Sequence, residues 1–244
     1  QQRFYQGHPA EITAIALHPS GILVATGDTK SNIHLWNAQS MSCVSIIKGL
    51  VKDGIQHLIF SPSGSRIAAI HFDADSTVTL YNSSSGEIIA SARGIPVPMN
   101  VFGAAYSPNG DEIVIVGTKQ VKFFSKVLNT KRSLESKVGR IGRMGKKQTY
   151  FCVQYMENDA VVGCADGSLY RFSNQALIQV IQAHAINEPV LCMYYSARDG
   201  LLITGGKDSL VKSWDSTLAE VGTSLDMSED LDGDGKADCG SLDS

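Results

Sequence analysis

Four residues in the second half of the chain carry side chains that could do acid–base chemistry together. They are His184, Thr204, Asp208 and Trp214. A histidine beside an aspartate can form a catalytic pair, but the same residue types also form a buried polar network. A buried carboxylate must be fully paired, and an indole N–H can only donate a hydrogen bond. We therefore interpret the four residues as a structural network, and a catalytic His-Asp pair is the alternative.

Two short predicted strands, at 201–205 and 210–215, position three of these residues. The strands contain apolar or β-branched residues, and the Gly-Gly-Lys-Asp turn between them contains residue types that tolerate unusual backbone angles. The second strand ends in an aromatic residue followed by Asp, which is the dipeptide typical of a WD repeat. The histidine lies before the first strand, at the place where such a repeat begins.

Aromatic residues recur at a spacing of about 45 residues, which is the length of a four-stranded propeller blade. They are Trp36, Tyr81, Phe124, Phe172 and Trp214. Turns that contain Pro, Gly, Asn or Asp recur in the same phase, at 18–21, 61–64, 107–110 and 197–200. The sequence therefore predicts an all-β WD-repeat β-propeller with five four-stranded blades in residues 1–222. The predicted blades cover about 7–50, 51–94, 95–138, 139–183 and 184–222, and the last strand of the fifth blade is predicted at 218–221.

The fifth blade alone is predicted to hold the complete network. The first blade has three of the residue types, at His8, Thr26 and Trp36, but Lys30 occupies the position of the turn acid. The second and fourth blades keep a turn acid without the tryptophan, at Asp75 and Asp166. Five blades are few for a closed ring, and an open ring leaves strand edges exposed. We expect further blades elsewhere in a longer, tandem propeller protein, of which this chain is a fragment.

Composition narrows the class of protein. The 244 residues are 43% hydrophobic and 18% charged, which is enough apolar material for a packed core. The net charge of −3 gives no overall signal for nucleic acid or an anionic membrane. The five cysteines are scattered without a C-x-x-C pair, which favours a reducing compartment. No stretch approaches the roughly 20 apolar residues that span a bilayer.

Several segments together resemble the echinoderm microtubule-associated protein-like (EMAP-like) family. They lie at 5–8, 15–19, 25–27, 34–37, 117–124, 139–145, 181–184 and 202–208. The similarity covers residues 1 to about 218 in order, and it includes the atypical linker between the third and fourth blades. The resemblance implies a non-catalytic scaffold that binds tubulin or microtubules, with other axonemal or cytoskeletal proteins as further partners. It implies a cytoplasmic and cytoskeletal location, including cilia or flagella. The alternative is a general WD-repeat adaptor whose partner is not tubulin.

A basic stretch between residues 126 and 147 is the candidate partner-binding site. It contains one acid, Glu135, and eight cations: Lys126, Lys131, Arg132, Lys137, Arg140, Arg143, Lys146 and Lys147. A mobile, glycine-punctuated basic loop could bind an acidic surface such as the C-terminal tails of tubulin. The alternatives are a solvated connector and an RNA or DNA phosphate site, although no motif of stacking aromatic residues accompanies the charge.

The acidic tail at 223–244 carries the candidate metal site. Its oxygen ligands have the spacing of a calcium loop, at Asp230, Asp232, Asp234 and Asp238, but Ser241 occupies the position of the bidentate Glu. An acidic insertion without calcium is the alternative. No other cofactor is expected. The chain lacks the G-x-S-x-G, H-E-x-x-H and phosphate-loop motifs, so we predict that it is not an enzyme, and we expect neither nucleic-acid nor membrane partners.

Overall fold

The computed structural model describes Tyr5 and residues 7–128 and 132–228, with the main chain alone at 126–128. Regular structure in these residues consists entirely of β-strands, which confirms the all-β prediction. None of the described residues belongs to a helix that could cross a membrane.

In the part of the chain that the structure describes, twenty strands form five consecutive antiparallel meanders. The first blade has β1 (Ile12–Leu17), β2 (Leu23–Asp28), β3 (Asn32–Asn37) and β4 (Cys43–Lys48). The second has β5 (Ile55–Phe60), β6 (Arg66–His71), β7 (Val78–Asn82) and β8 (Ile88–Ala92). The third has β9 (Val101–Tyr106), β10 (Glu112–Gly117), β11 (Gln120–Leu128) and β12 (Ser133–Val138). The fourth has β13 (Tyr150–Met156), β14 (Asp159–Cys164), β15 (Ser168–Ser173) and β16 (Ala176–Gln182). The fifth has β17 (Val190–Ser196), β18 (Leu201–Gly206), β19 (Leu210–Trp214) and β20 (Leu225–Asp226).

The last strand differs from the prediction of a strand at 218–221. Oδ1 of Asp215 accepts hydrogen bonds from the N–H groups of Thr217 (2.8 Å) and Ala219 (3.0 Å), and Leu218 has a positive φ of 63°. These contacts form a turn. Val221 still donates to the Ser213 carbonyl (2.8 Å), but the regular strand β20 is delayed to 225–226.

The hydrophobic core lies between successive blades. Ile33 of the first blade packs with Ile55 and Ile67 of the second, and all three are fully buried. Equivalent clusters fill the other three junctions. Each fully buried aliphatic side chain contributes roughly 1.5–3 kcal/mol relative to exposure. The blades therefore stabilise one another through their flat faces.

Main-chain contacts also join the outer strands of the second, third and fourth blades. β8 and β12 pair in parallel at Ser91 and Ser133, so the second and third blades form one eight-stranded sheet. The N–H of Arg140 donates to the Gln175 carbonyl (2.8 Å), and the Arg140 carbonyl accepts from Leu177 (2.8 Å). The outer rim is thus continuous across three blades.

The meanders place their connections at two opposite ends of the molecule. One end, which we call the connection face, holds the turns between second and third strands and the segments that join one blade to the next. There Ile55, at the start of β5, packs against Gly27, at the end of β2. The other end, the turn face, holds the remaining turns, and there Gly64 lies against the imidazole of His18.

Candidate functional site

The structure brings together the four network residues of the fifth blade. Nδ1 of His184 lies 2.9 Å from Oδ1 of Asp208, and its Nε2 lies 2.9 Å from Oγ1 of Thr204. The indole N–H of Trp214 donates to the same Thr204 oxygen (2.9 Å). Because His184 is 3% exposed, a substrate proton cannot come within hydrogen-bond reach of either ring nitrogen, as general-base catalysis requires.

The charge of Asp208 is held in place by hydrogen bonds. Burial alone would raise the pKa of this carboxyl group, but hydrogen bonds from the Ala185 N–H and from His184 lower it below its usual value. The Ala185 N–H lies 2.9 Å from Oδ2, and the Leu210 N–H lies 3.2 Å from Oδ1. The network therefore keeps an ionised carboxylate in the turn before β19.

The first blade contains a complete network as well, which corrects the prediction that only the fifth blade does. Oγ1 of Thr26 lies 2.7 Å from Nε2 of His8 and accepts from the Trp36 indole (3.1 Å). The carboxylate comes from Asp28, whose Oδ2 lies 3.2 Å from Nδ1 of His8. Lys30, at the expected position of the acid, contributes only its N–H, which donates to Asp28 (2.9 Å).

The two blades place the acid at different positions of the same turn. Asp28 follows its threonine by two residues, and the residue at that place in the fifth blade is Gly206. A Cβ on Gly206 would lie 2.3 Å from Nδ1 of His184 and 2.4 Å from Oδ1 of Asp208. Glycine therefore leaves the room that the more distant carboxylate needs.

Further aromatic rings cover the network of the first blade. The His34 ring stacks on His8 with centroids 3.8 Å apart, and the Tyr5 ring stacks on Trp36 with centroids 4.9 Å apart. The Tyr5 hydroxyl lies 2.9 Å from Nδ1 of His34. Burial lowers the pKa of His34, and the neighbouring His8 lowers it further. Neither His34 nor Tyr5 was predicted to belong to the network, although both lie in the segments 5–8 and 34–37 that resemble the EMAP-like family.

One group in the described chain has the composition of a metal site. Ligand atoms of His8, Asp28 and His34 lie within 4.8 Å of one another. The Asp28 oxygens already accept hydrogen bonds from the N–H (2.8 Å) and the side-chain amide (2.9 Å) of Asn32. Burial would raise the pKa of Asp28, but the Asn32 and His8 hydrogen bonds lower it. A bound ion would have to displace these contacts, so we interpret the group as structural. The candidate calcium ligands Asp230, Asp232, Asp234 and Asp238 lie outside the described residues, and calcium binding stays a prediction.

The other two predicted turn acids form no equivalent network. Oδ2 of Asp75 lies 3.3 Å from Nε of Arg93 in an exposed ion pair. Oδ2 of Asp166 lies 3.0 Å from Nζ of Lys146, and its Oδ1 accepts from Ser168. Burial would raise the pKa of Asp166, but the hydrogen bonds from Ser168 and Lys146 lower it.

The basic stretch does not form one mobile loop. It includes β12, and two of its three glycines pack closely: Gly139 lies against Phe123 and Phe172, and Gly145 lies against Leu177. The Lys146 N–H also donates to the Tyr170 hydroxyl (3.0 Å). The segment after β12 is therefore fixed to the core of the third and fourth blades.

Strand β12 divides the predicted cations between the two ends of the molecule. The six residues of β12 span roughly 20 Å. Arg132 precedes the strand and lies on the turn face. Lys137 forms an ion pair with Glu135 (3.2 Å). Beyond the strand, Arg140 lies at the outer rim beside the β15–β16 turn, and Arg143 and Lys147 follow in the segment that leads to the fourth blade. All three are exposed and form no salt bridge with the described residues. The side chains of Lys126 and Lys131 lie outside the described residues.

Most of the chain is similar in sequence to known proteins. A family model described as the first β-propeller of echinoderm microtubule-associated protein matches residues 1–234. Echinoderm microtubule-associated protein-like 1 of Rattus norvegicus is 26% identical over 238 residues, which cover 90% of this chain and 28% of that protein. The Caenorhabditis elegans protein elp-1 is 25% identical over 254 residues, covering 88% and 28%. Echinoderm microtubule-associated protein-like 2 of Mus musculus is 25% identical over 239 residues, covering 91% and 36%.

Among solved structures, the Cps50 (Swd1) β-propeller domain of Myceliophteria thermophila superposes with a TM-score of 0.69 at 13% identity. The match covers 85% of this chain and 67% of that one, and it supports the propeller fold alone. The chain spans between 28% and 36% of the length of these curated relatives.

Proposed function

Because the chain belongs to the family of the first β-propeller of echinoderm microtubule-associated proteins, we propose that it is a non-catalytic scaffold that binds microtubules through its connection face. The relatives it matches are named as microtubule-associated proteins. The observation that carries the proposal is the group Arg140, Arg143 and Lys147, which is exposed and unpaired within the described chain. The partner surface would be the acidic C-terminal tails of tubulin.

The physical basis is attraction between opposite charges on a fixed scaffold. Exposed charges attract an acidic partner over about 8–10 Å at physiological salt, and the attraction weakens as salt rises. Because the segment is packed against Phe172 and Tyr170, little conformational freedom is lost when its cations bind. The proposed location is the cytoplasm and the cytoskeleton, with the ciliary axoneme as the more specific site.

The test is co-sedimentation of the full-length protein with microtubules before and after proteolytic removal of the tubulin tails. The variant Arg143→Glu with Lys147→Glu should bind intact microtubules more weakly than the unmodified protein does. Once the tails have been removed, the variant and the unmodified protein should bind equally. The control, Arg66→Glu with Arg198→Glu, makes the same charge change among exposed residues of the turn face. Equal loss in both variants would contradict the assignment of the site.

A general adaptor with a different partner is the second candidate, because the exposed Arg140, Arg143 and Lys147 would attract any acidic protein surface. Such an adaptor would still pull down another protein, but it would not co-sediment with microtubules at any salt concentration.

A further inference from the structure

We infer that the junction of the first and second blades holds a second basic site, a cleft that binds the carboxylates of a glutamate-rich peptide. It lies on the connection face, as do Arg143 and Lys147. The inference rests on the proposed function in one respect: the same acidic partner would contact both surfaces. None of the cleft residues belongs to the basic stretch at 126–147.

Three lysines converge on this cleft. It encloses about 370 Å³, and its described lining contains no acidic residue. The lining residues are Lys30, Asn32, Lys48, Gly49, Val51 and Lys52. All three lysines are exposed, and none forms a salt bridge with the described residues. An ammonium group is a compact, hydrated charge with three donors, which suits flexible glutamate side chains.

The main chain beneath the lysines is fixed by Ser31. This residue is 1% exposed and has a positive φ of 62°. Its carbonyl accepts a hydrogen bond from the Gly49 N–H (2.7 Å), and its Oγ accepts one from the Gly54 N–H (2.8 Å). The Leu50 N–H donates to the Tyr81 hydroxyl (2.8 Å). The turn after β2 and the segment after β4 are therefore held together, so their lysines face one cleft without a separate ordering step.

Nearby acids do not neutralise the cleft. Asp28 is fully buried, and its carboxylate is occupied by His8 and Asn32. Asp53 follows Lys52 in sequence but does not line the cleft. The three ammonium charges thus remain available to an incoming anion.

The chemistry of the lining favours an acidic peptide over a nucleic acid. Single-stranded nucleic acids bind through aromatic side chains that stack on bases, and the described lining of this cleft has no aromatic residue. Val51 gives a small apolar floor that suits the methylene groups of glutamate. Between this cleft and the basic stretch, the connection face carries two more exposed cations: Arg93, which pairs with Asp75 at the junction of the second and third blades, and Lys119 in the turn after β10. An extended acidic chain would therefore meet positive charge at three successive junctions.

The test measures binding of a labelled polyglutamate peptide to the full-length protein at low and physiological salt. We expect Lys48→Glu with Lys52→Glu to weaken binding about fivefold or more, because two exposed attractive pairs become repulsive. The turn-face control Arg66→Glu with Arg198→Glu should bind as the unmodified protein does. Unchanged binding in the cleft variant, or equal loss in the control, would overturn the inference.

Two further measurements make the outcome specific. If charge reversal lowers the melting temperature, Lys48→Gln with Lys52→Gln tests the cleft without introducing repulsion. A loss of polyglutamate binding that is smaller than in the charge-reversal variant supports the inference. A single-stranded oligonucleotide that binds more tightly than polyglutamate, with the same dependence on Lys48 and Lys52, would overturn the assignment of the ligand. Peptide binding without microtubule co-sedimentation would leave the cleft intact and contradict the proposed function alone.

Discussion

The carboxylate of Asp28 lies 3.2 Å from Nδ1 of His8, although Asp28 is two residues too early in the turn for the expected pattern. The fifth blade makes the same contact, 2.9 Å between Asp208 and His184, from a position two residues later. One hydrogen-bond network is therefore built from two different turns. This equivalence makes the contribution of each acid testable.

Asp28→Asn should lower the free energy of unfolding by about 1–3 kcal/mol, because His8 and the buried N–H groups around it lose a charged acceptor. Chemical denaturation of the full-length protein measures the change. Asp75→Asn is the matched control, since its carboxylate is exposed and pairs only with Arg93, and it should change stability by less than about 0.5 kcal/mol. Equal effects of the two substitutions would contradict the buried network.

The arrangement of the first blade should be transferable to the fifth. Asp208→Lys alone should destabilise the fifth blade by about 1–3 kcal/mol, because His184 loses its partner. Adding Gly206→Asp places an acid where Asp28 lies and should recover part of that loss. The double-mutant cycle measures the coupling between the two positions. If Gly206→Asp lowers the free energy of unfolding further, the two turns are not equivalent.

His71 should make stability depend on pH. Its side chain is fully buried, and neither ring nitrogen has a hydrogen-bond partner in the described chain. Burial lowers the pKa of His71 from the usual 6.5, so the folded protein keeps the ring neutral while the unfolded chain binds a proton. The free energy of unfolding should therefore fall as pH drops below about 6.5. Thermal melts from pH 7.5 to 5 should show this slope, and His71→Phe should reduce it. An unchanged slope would exclude His71 as the cause.

Ser31→Ala should affect both stability and the basic cleft without removing a charge. It leaves the buried N–H of Gly54 without its partner, at a cost of about 1–3 kcal/mol. Polyglutamate binding should also weaken, because the segment that carries Lys52 is no longer held in place. Ser20→Ala, at an exposed turn, is the control. Normal peptide binding by a destabilised Ser31→Ala protein would show that fixed geometry is unimportant to the cleft.

Sequence patterns predicted the blades because their signals are local. The five aromatic positions from Trp36 to Trp214 recur at about the length of one blade, and the strands between the turns are short runs rich in apolar and β-branched residues. The aromatic positions Tyr81, Phe124 and Phe172 are buried in the structure as that phase implies.

Contacts between distant residues were not predictable in the same way. Asp28 was missed because the expected turn length was carried over from the fifth blade, although an acid close to Thr26 was visible in the sequence. The packing of Gly145 against Leu177 depends on how two blades meet, and no pattern within either segment indicates it. The cleft at Lys30, Lys48 and Lys52 forms only after β3 and β4 pair in their observed register.

The continuous outer rim has a consequence for the order in which the protein opens. The second, third and fourth blades share main-chain hydrogen bonds at Ser91 and at Arg140, whereas the first and fifth blades have no such outer pairing within the described chain. The middle three blades should therefore unfold as one cooperative unit. In native-state hydrogen exchange, the amides of β12 and β16 should exchange more slowly than those of β4, because the outer pairing hinders sub-global opening. Exchange of β4 at the same rate as β12 would show that the rim does not control opening.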